Sequence, residues 1–357
     1  MTVATVSSPH DAASAPALRT RWVVLGLVLV AAAALAGLTI GPVSLPVNRV
    51  VLELIDHIPF VHVHSGLSPR EAAIVWDLRL PRVVMGLLVG AMLAVAGGSY
   101  QGAFRNPLAD PYLLGVAAGA GLGATLVIVA GGYQSSSSIV APLPLAAFGG
   151  ALVAVALTYL LGASGGRGRS VTSLVLAGVA VASFLTAVQT WVQQRKSDTI
   201  REVYTWILGR LTTANWRDVG IVLPYIVVTS AVLIGARRAL DVLSVGDEEA
   251  TSLGLNVGRV RLIVVIAASL GTAAAVAVSG LIAFVGIIVP HTVRLLGGRS
   301  YRSILPLSLL FGAAFLTLTD LLARVVISPS ELPIGVVTAF FGAPFFLIVL
   351  RTTKTAM

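Results

Sequence analysis

Long apolar runs separated by short polar stretches recur along the whole chain. Crossing a hydrocarbon core about 30 Å thick takes roughly 20 apolar residues in a helix. Runs of about that length fall at 22–41, 83–103, 112–131, 142–161, 171–192, 218–238, 259–279, 281–297, 303–323 and 334–350. The pattern therefore predicts an all-α polytopic membrane protein with about ten transmembrane helices.

Glycine and proline interrupt these runs near Asn106–Pro107, Gly280 and Pro290. Broken helices are tolerated in a membrane only where neighbouring helices or a cavity satisfy the freed backbone groups. The interruptions therefore favour a transporter or a channel over a simple membrane anchor.

Composition supports the membrane interpretation and removes several other classes of protein. Of the 357 residues, 57% are hydrophobic and 11% are charged, whereas a soluble domain carries about 25% charged residues. The net charge of +9 comes from basic residues scattered singly between apolar runs, so we expect no nucleic-acid partner. The chain has no cysteine, which excludes disulfides and thiolate metal sites.

The N-terminal 18 residues are small and polar, and Arg19 and Arg21 precede the first apolar run. We expect residues 1–18 to form a disordered cytoplasmic tail and residues 19–357 to form one transmembrane domain. A cleaved signal peptide is the alternative, but the first run is longer than a typical signal sequence and many spans follow. With a cytoplasmic N-terminus, basic residues show a modest inner bias.

The stretch 239–258 is the one sizeable inner loop that the span pattern leaves. It indicates two short helices broken at Gly246, with Asp247 and Glu248 in a first turn where the helix dipole favours anions, and Gly254 at the stop. A helix of two turns is marginal alone in water. The loop is therefore expected to pack against a partner, with a solvated connector as the alternative.

Candidate chemistry elsewhere is sparse. His57, His62 and His64 share the outer stretch 42–81; without a carboxylate arrangement they are expected to have no specific role, with haem or metal capture as the alternative. Asp320 is the best candidate for an ion-coupling carboxylate of a secondary transporter, although Arg324 nearby can pair with it. The chain has no phosphate-binding loop and no catalytic grouping, so we expect neither an enzyme nor ATP hydrolysis by this chain.

Several segments, in order, resemble the FecCD-type permease family, which serves iron-siderophore, haem and vitamin B12 importers. The first segment is Arg79-Leu-Pro-Arg82. The other three start with Gln101-Gly-Ala-Phe-Arg-Asn-Pro-Leu-Ala-Asp-Pro, Gly280-Leu-Ile-Ala-Phe-Val-Gly-Ile-Ile-Val-Pro-His and Glu331-Leu-Pro-Ile-Gly. The loop 247–254 also fits. The resemblance covers residues 75–350.

The resemblance implies a type II ABC importer permease fold and a set of partners. These are a second permease subunit (a homodimer or a close paralogue), two cytoplasmic ATPase subunits that carry ATP and Mg, and an extracytoplasmic substrate-binding protein. The chain itself would bind no cofactor and would lie in the cytoplasmic membrane. Its expected cargo is a ferric siderophore, with cobalamin or haem as alternatives.

The resemblance also assigns roles to individual residues. Binding-protein docking is assigned to Arg79, Arg82 and Arg324, for which interfacial anchoring is the alternative. Coupling to the ATPase is assigned to Gly246, Asp247, Glu248, Ala250, Leu253 and Gly254. The cytoplasmic gate is assigned to Val171, Thr172 and Ser173.

A last group of motif residues is expected to be structural: Gln101, Asn106, Pro107, Pro290, His291 and Arg294. Asn106 and Pro107 indicate a sharp turn between the second and third spans. Pro290 would free a backbone carbonyl that a nearby polar group can satisfy. Inner-face placement of a positive charge is the alternative explanation for Arg294.

Overall fold

A computed structural model of the protein describes residues 20–131, 141–163 and 171–354. The predicted cytoplasmic tail, residues 1–18, lies outside the described residues. The described chain is helical throughout, with irregular backbone confined to connections. In order, the helices are α1 (Thr20–Thr39), α2 (Val47–Asp56), α3 (Pro69–Ala73), α4 (Leu80–Ala103), α5 (Val116–Val129), α6 (Pro142–Ala163), α7 (Val171–Arg195), α8 (Ile200–Ile207), α9 (Trp216–Gly235), α10 (Arg237–Leu243), α11 (Asp247–Ser252), α12 (Val257–Ser279), α13 (Val285–Gly297), α14 (Tyr301–Val325) and α15 (Ile334–Lys354).

Ten apolar helices within the described residues match the ten predicted spans. Seven are long and apolar enough to cross a membrane, and three shorter apolar helices, α5, α13 and α15, complete the set. Helix α13 has 13 residues and is therefore about 20 Å long, too short to cross the hydrocarbon core alone. The predicted polytopic helical fold and the predicted break near Gly280 are confirmed.

Helix α4 lies at the centre of the fold and packs against α9, α12, α13 and α14. Its approach to α13 is close because neither helix has a side chain at the crossing point. A Cβ atom added at Gly97 would lie 2.0 Å from the carbonyl oxygen of Gly286. Helices α5, α6 and α7 pack together as a second group, which α12 joins to the core through α6.

Two short amphipathic helices on the outer side were missed by the sequence pattern. Helix α2 lies in the stretch 42–81, and α8 lies in the connection 195–217, which the pattern left as loops. Val203 and Trp206 of α8 are buried. Eight residues are too few for helical periodicity to be distinguished from a loop, which is why the pattern did not indicate α8.

The chain enters α4 through a π-helical segment, Ile74–Arg79, that continues α3. Ser68 and Glu71 form a capping box at the start of α3, with the Ser68 hydroxyl accepting from the Glu71 amide. Such a reciprocal cap fixes the start of a helix. The segment from Pro69 to Ala103 is therefore one continuous rod that carries Arg79 and Arg82.

Candidate functional site

The inner loop forms the two short helices that the sequence predicted. Helices α10 and α11 are separated at Gly246, whose φ is 144°, and Gly254, with φ 85°, follows α11. A side chain at Gly246 would be strained in this conformation. The position of the break is therefore built into the backbone, and Asp247 and Glu248 lie in the first turn of α11 as expected.

Helix α10 is fastened to the start of α14 through one carboxylate. Asp241 accepts hydrogen bonds from the Ser300 hydroxyl at 2.8 Å and from the Tyr301 amide at 2.5 Å. Its Oδ2 also lies 3.5 Å from the Arg302 guanidinium. Asp241 thus satisfies a free amide in the first turn of α14, where a negative charge is favoured.

Helix α11 is fastened to the inner ends of α4 and α12. Nη2 of Arg261 donates to both carboxylate oxygens of Asp247, at 3.1 and 3.0 Å, while its Nε donates to the Ala103 carbonyl at 3.0 Å. Arg105 approaches the same carboxylate at 3.8 Å. Arg261 thus connects α11 with the ends of α4 and α12.

The predicted coupling residues divide into an inward and an outward set. Ala250 is buried and Asp247 is held by Arg261, whereas Glu248 is exposed. Leu253 is 71% exposed, and Val245 beside the break is 59% exposed. Val245 and Leu253 are therefore the apolar side chains of this loop that are free to contact a partner. Their role in coupling stays a prediction.

Pro290 frees a carbonyl in α13, and a side chain of α4 satisfies it, as the sequence predicted. The missing amide of Pro290 would have bonded to Gly286, four residues earlier. The amide nitrogen of Gln101 donates to the Gly286 carbonyl at 3.1 Å, and Arg294 donates to the Gln101 oxygen at 3.1 Å. His291 packs edge-on against the Phe345 ring, with centroids 5.5 Å apart.

The connection between α4 and α5 is a capped turn, in agreement with the structural role expected for Asn106 and Pro107. Oδ1 of Asn106 accepts from the Leu108 amide at 2.9 Å, and Oδ1 of Asp110 accepts from the Tyr112 amide at 2.8 Å. Burial raises the pKa of Asp110 to about 6, although the hydrogen bond from Tyr112 acts in the opposite direction.

Arg79 caps the outer end of α1. Its guanidinium donates to the carbonyls of Leu38 at 2.7 Å and Thr39 at 3.1 Å, and also to that of Val43. The residue is only 6% exposed. Arg79 therefore satisfies carbonyls that the last turn of a helix leaves without partners.

Arg82 and Arg324 meet the same carboxylate. Arg82 donates to both oxygens of Asp320, at 2.8 to 3.1 Å, and to both oxygens of Glu331, at 2.8 and 3.0 Å. Arg324 is 4% exposed, lies 3.2 Å from Asp320 and donates to the Gly37 carbonyl at 3.2 Å. The local ion pair expected for Asp320 is confirmed.

The three proposed docking arginines thus have partners inside the subunit. They join the outer ends of α1 and α14, the start of α4 and the segment before α15. Sequence spacing could not indicate this, because Arg82 and Glu331 are 249 residues apart. Docking through these side chains stays a prediction, and it would require the guanidinium groups to exchange these internal partners.

The remaining predicted sites are simple to place. Val171, Thr172 and Ser173 form the first turn of α7, with Thr172 exposed, and their gating role stays a prediction. His57 stacks on the Trp76 ring with centroids 4.1 Å apart, while His62 and His64 are exposed. Among the residues described, no three His, Asp or Glu side chains are grouped to hold a metal ion.

The sequence and the architecture of this chain are similar to those of known proteins. The model of the FecCD transport family matches residues 27–352. The cobalamin import system permease BtuC of Halobacterium salinarum is 43% identical over 286 residues, which are 80% of this chain and 75% of that protein. The Fe(3+)-citrate import system permease YfmD of Bacillus subtilis is 37% identical over 309 residues, which are 86% of this chain and 90% of that protein.

A solved structure described as an inward-facing metal-chelate type ABC transporter superimposes with a TM-score of 0.80. It is 29% identical in sequence and covers 93% of this chain and 99% of its own. The chain therefore belongs to the FecCD transport family and is a multi-pass membrane permease of an ABC importer.

Proposed function

We propose that this permease moves a ferric siderophore across the cytoplasmic membrane, driven by ATP hydrolysis on a separate pair of ATPase subunits. The observation that carries the proposal is the helix pair α10–α11. Its exposed apolar side chains, Val245 and Leu253, face away from the fold, and its carboxylates tie it to α12 and α14. This arrangement suits a helix pair that transmits movement of the soluble ATPase subunits to the membrane helices, and we call this pair the lever.

The permease is proposed to work as a dimer, either with a second copy or with a close paralogue, and to receive cargo from an extracytoplasmic binding protein. The arginine cluster at the outer end is the proposed docking region. Arg82 is the docking candidate with the clearest geometry, because Glu331 lies in a partly exposed segment and could yield its place to a carboxylate of the partner. The proposed inner gate is the first turn of α7.

Cobalamin is the second candidate cargo, favoured by the 43% identity to a cobalamin import permease. Haem is a third candidate, which rests on the family resemblance alone. All three are bulky metal chelates. We expect much of the choice among them to be made by the binding protein before the cargo reaches this subunit.

The proposal is tested by substitutions at Leu253 in permease reconstituted with its ATPase and binding protein. We expect Leu253→Glu to reduce cargo-stimulated ATP turnover and uptake about tenfold, equivalent to about 1.4 kcal/mol of lost interface energy. In the proposed contact the charge would be buried against the ATPase subunit, where it is costly. Leu253→Met keeps an apolar side chain of similar volume and is the matched control, with coupling close to wild type. Unchanged coupling in Leu253→Glu would refute the lever.

A further inference from the structure

A cavity of about 420 Å³ opens between α5, α7 and α8. Its polar lining comes mainly from one face of α7, because residues at i, i+3, i+4 and i+7 share a face of a helix. The polar lining residues are Tyr112, Thr186, Gln189, Thr190, Gln193 and Tyr204. Within the described chain, no Asp, Glu, Lys, Arg or His lines it.

Gln189 is the residue of this lining that needs an explanation. It is 8% exposed, and within the described part of the chain its amide makes no hydrogen bond. It lies six residues before the end of α7, about 9 Å along the helix axis. The amide lines the cavity together with other polar side chains. It can therefore bond to water or to a ligand in the cavity.

The neighbouring helix leaves space for this amide. A Cβ atom added at Gly121 of α5 would lie 2.9 Å from the Gln189 Oε1. The amide of Gln189 therefore lies against α5 at a point where α5 has no side chain. Gln193, one turn further along α7, lines the same cavity and is partly buried.

We propose that Thr186, Gln189 and Gln193 form a contact site for a cargo that presents neutral amide, hydroxamate or hydroxyl groups at its rim. A glutamine amide both donates and accepts hydrogen bonds, as such groups do. Among the described residues, the site has no cation to offset a polyanionic chelate, whose charge would be costly to desolvate there. This inference rests on the proposed function and narrows its cargo class.

The absence of cysteine from the chain makes the site accessible to single-cysteine labelling. In the reconstituted complex, we expect a membrane-impermeant maleimide to label Gln193→Cys. The matched control, Phe184→Cys, places the thiol at an exposed apolar position of α7 outside the cavity. It should react about tenfold more slowly, because a charged reagent is excluded from apolar surroundings in the membrane.

Cargo probes then test the ligand class. Two neutral chelates are tested, cyanocobalamin and a neutral ferric trihydroxamate. The chelate that protects Gln193→Cys from the maleimide shows which kind of cargo supplies the neutral groups. Ferric citrate is the polyanionic probe and should protect at least about tenfold less at equal concentration, because none of the described residues that line the cavity is a cation. Protection by neither neutral chelate, or equal protection by ferric citrate, would overturn the proposal.

Gln189→Leu, added to the Gln193→Cys chain, should abolish protection and leave the labelling rate without cargo unchanged. Thr186→Val is a second variant, expected to weaken protection. Protection that survives Gln189→Leu would overturn the assignment of this side chain. The proposed function is tested separately by ATP-driven uptake. Uptake without protection of the cysteine would refute only the cargo contact site. Protection of the cysteine without ATP-driven uptake would refute only the proposed function.

Discussion

The hydrogen bond between Gln101 and the carbonyl released by Pro290 gives the sharpest energetic prediction. Gln101 is buried, and Gln101→Leu would leave the Gly286 carbonyl without its partner. A buried group left without a partner costs about 1–3 kcal/mol. Hydrogen bonds between membrane helices contribute about 0.6 kcal/mol on average and up to about 1.7. We therefore expect a loss of about 1–2 kcal/mol in the free energy of unfolding.

The matched background is Pro290→Ala, which restores a backbone amide four residues after Gly286. That amide can bond to the Gly286 carbonyl in the ordinary helical pattern. Gln101→Leu should then cost about 1 kcal/mol less in the Pro290→Ala chain than in the wild type, a coupling typical of residues that share a partner. Both chains that are compared in the Pro290→Ala background lack the proline ring, so the effect of losing the ring cancels from the cost of Gln101→Leu.

The assay is unfolding of the purified permease in mixed micelles, with the denaturing detergent titrated and the helical signal followed. All four chains of the cycle are measured under one condition. Costs that add to within about 0.5 kcal/mol, the range expected for independent sites, would refute the assignment of Gln101 to the freed carbonyl.

Two further predictions concern packing and charge. Gly97→Ala should lower the free energy of unfolding by about 1–3 kcal/mol, because its Cβ would meet the Gly286 carbonyl. The control is Gly149→Ala, where nothing lies within 4 Å of the added Cβ and the same detergent titration should show no loss. Equal losses in the two variants would reject the packing argument. Arg82→Gln should cost about 1–3 kcal/mol, because Asp320 would lose one of its two arginine partners and keep Arg324. A cost below about 1 kcal/mol by that assay would show that Arg324 alone satisfies Asp320.

The sequence was sufficient for features that depend on neighbours along the chain. The ten spans follow from apolar runs, because the hydrocarbon core demands a minimum length. The break in the inner loop followed from Gly246, because glycine tolerates a φ that other residues rarely adopt. The interruption expected at Pro290 is not a break, since α13 continues through the proline, but the carbonyl that the proline frees followed from its missing amide. Each of these signals lies within a few residues of the structure it produces.

Features that depend on distant contacts could not be predicted. Arg82 was placed at an outer helix end, but its pairing with Glu331 depends on how α4 and the start of α15 meet. Gln101 was recognised only as a motif residue, because its acceptor lies 185 residues away. Gln189 carried no signal at all: one glutamine in a long apolar helix gains meaning only from the cavity that it lines.

The central claim, that this permease is driven by a partner ATPase, is tested most directly by uptake into sealed vesicles. Vesicles with the permease, its ATPase and its binding protein would be loaded with ATP and Mg, and uptake of iron-55 chelates and cobalt-57 cobalamin would be measured. We expect uptake of one cargo to require internal ATP and to persist when proton and sodium gradients are collapsed. Uptake that proceeds without the ATPase and stops when those gradients are collapsed would contradict the account and identify a secondary transporter.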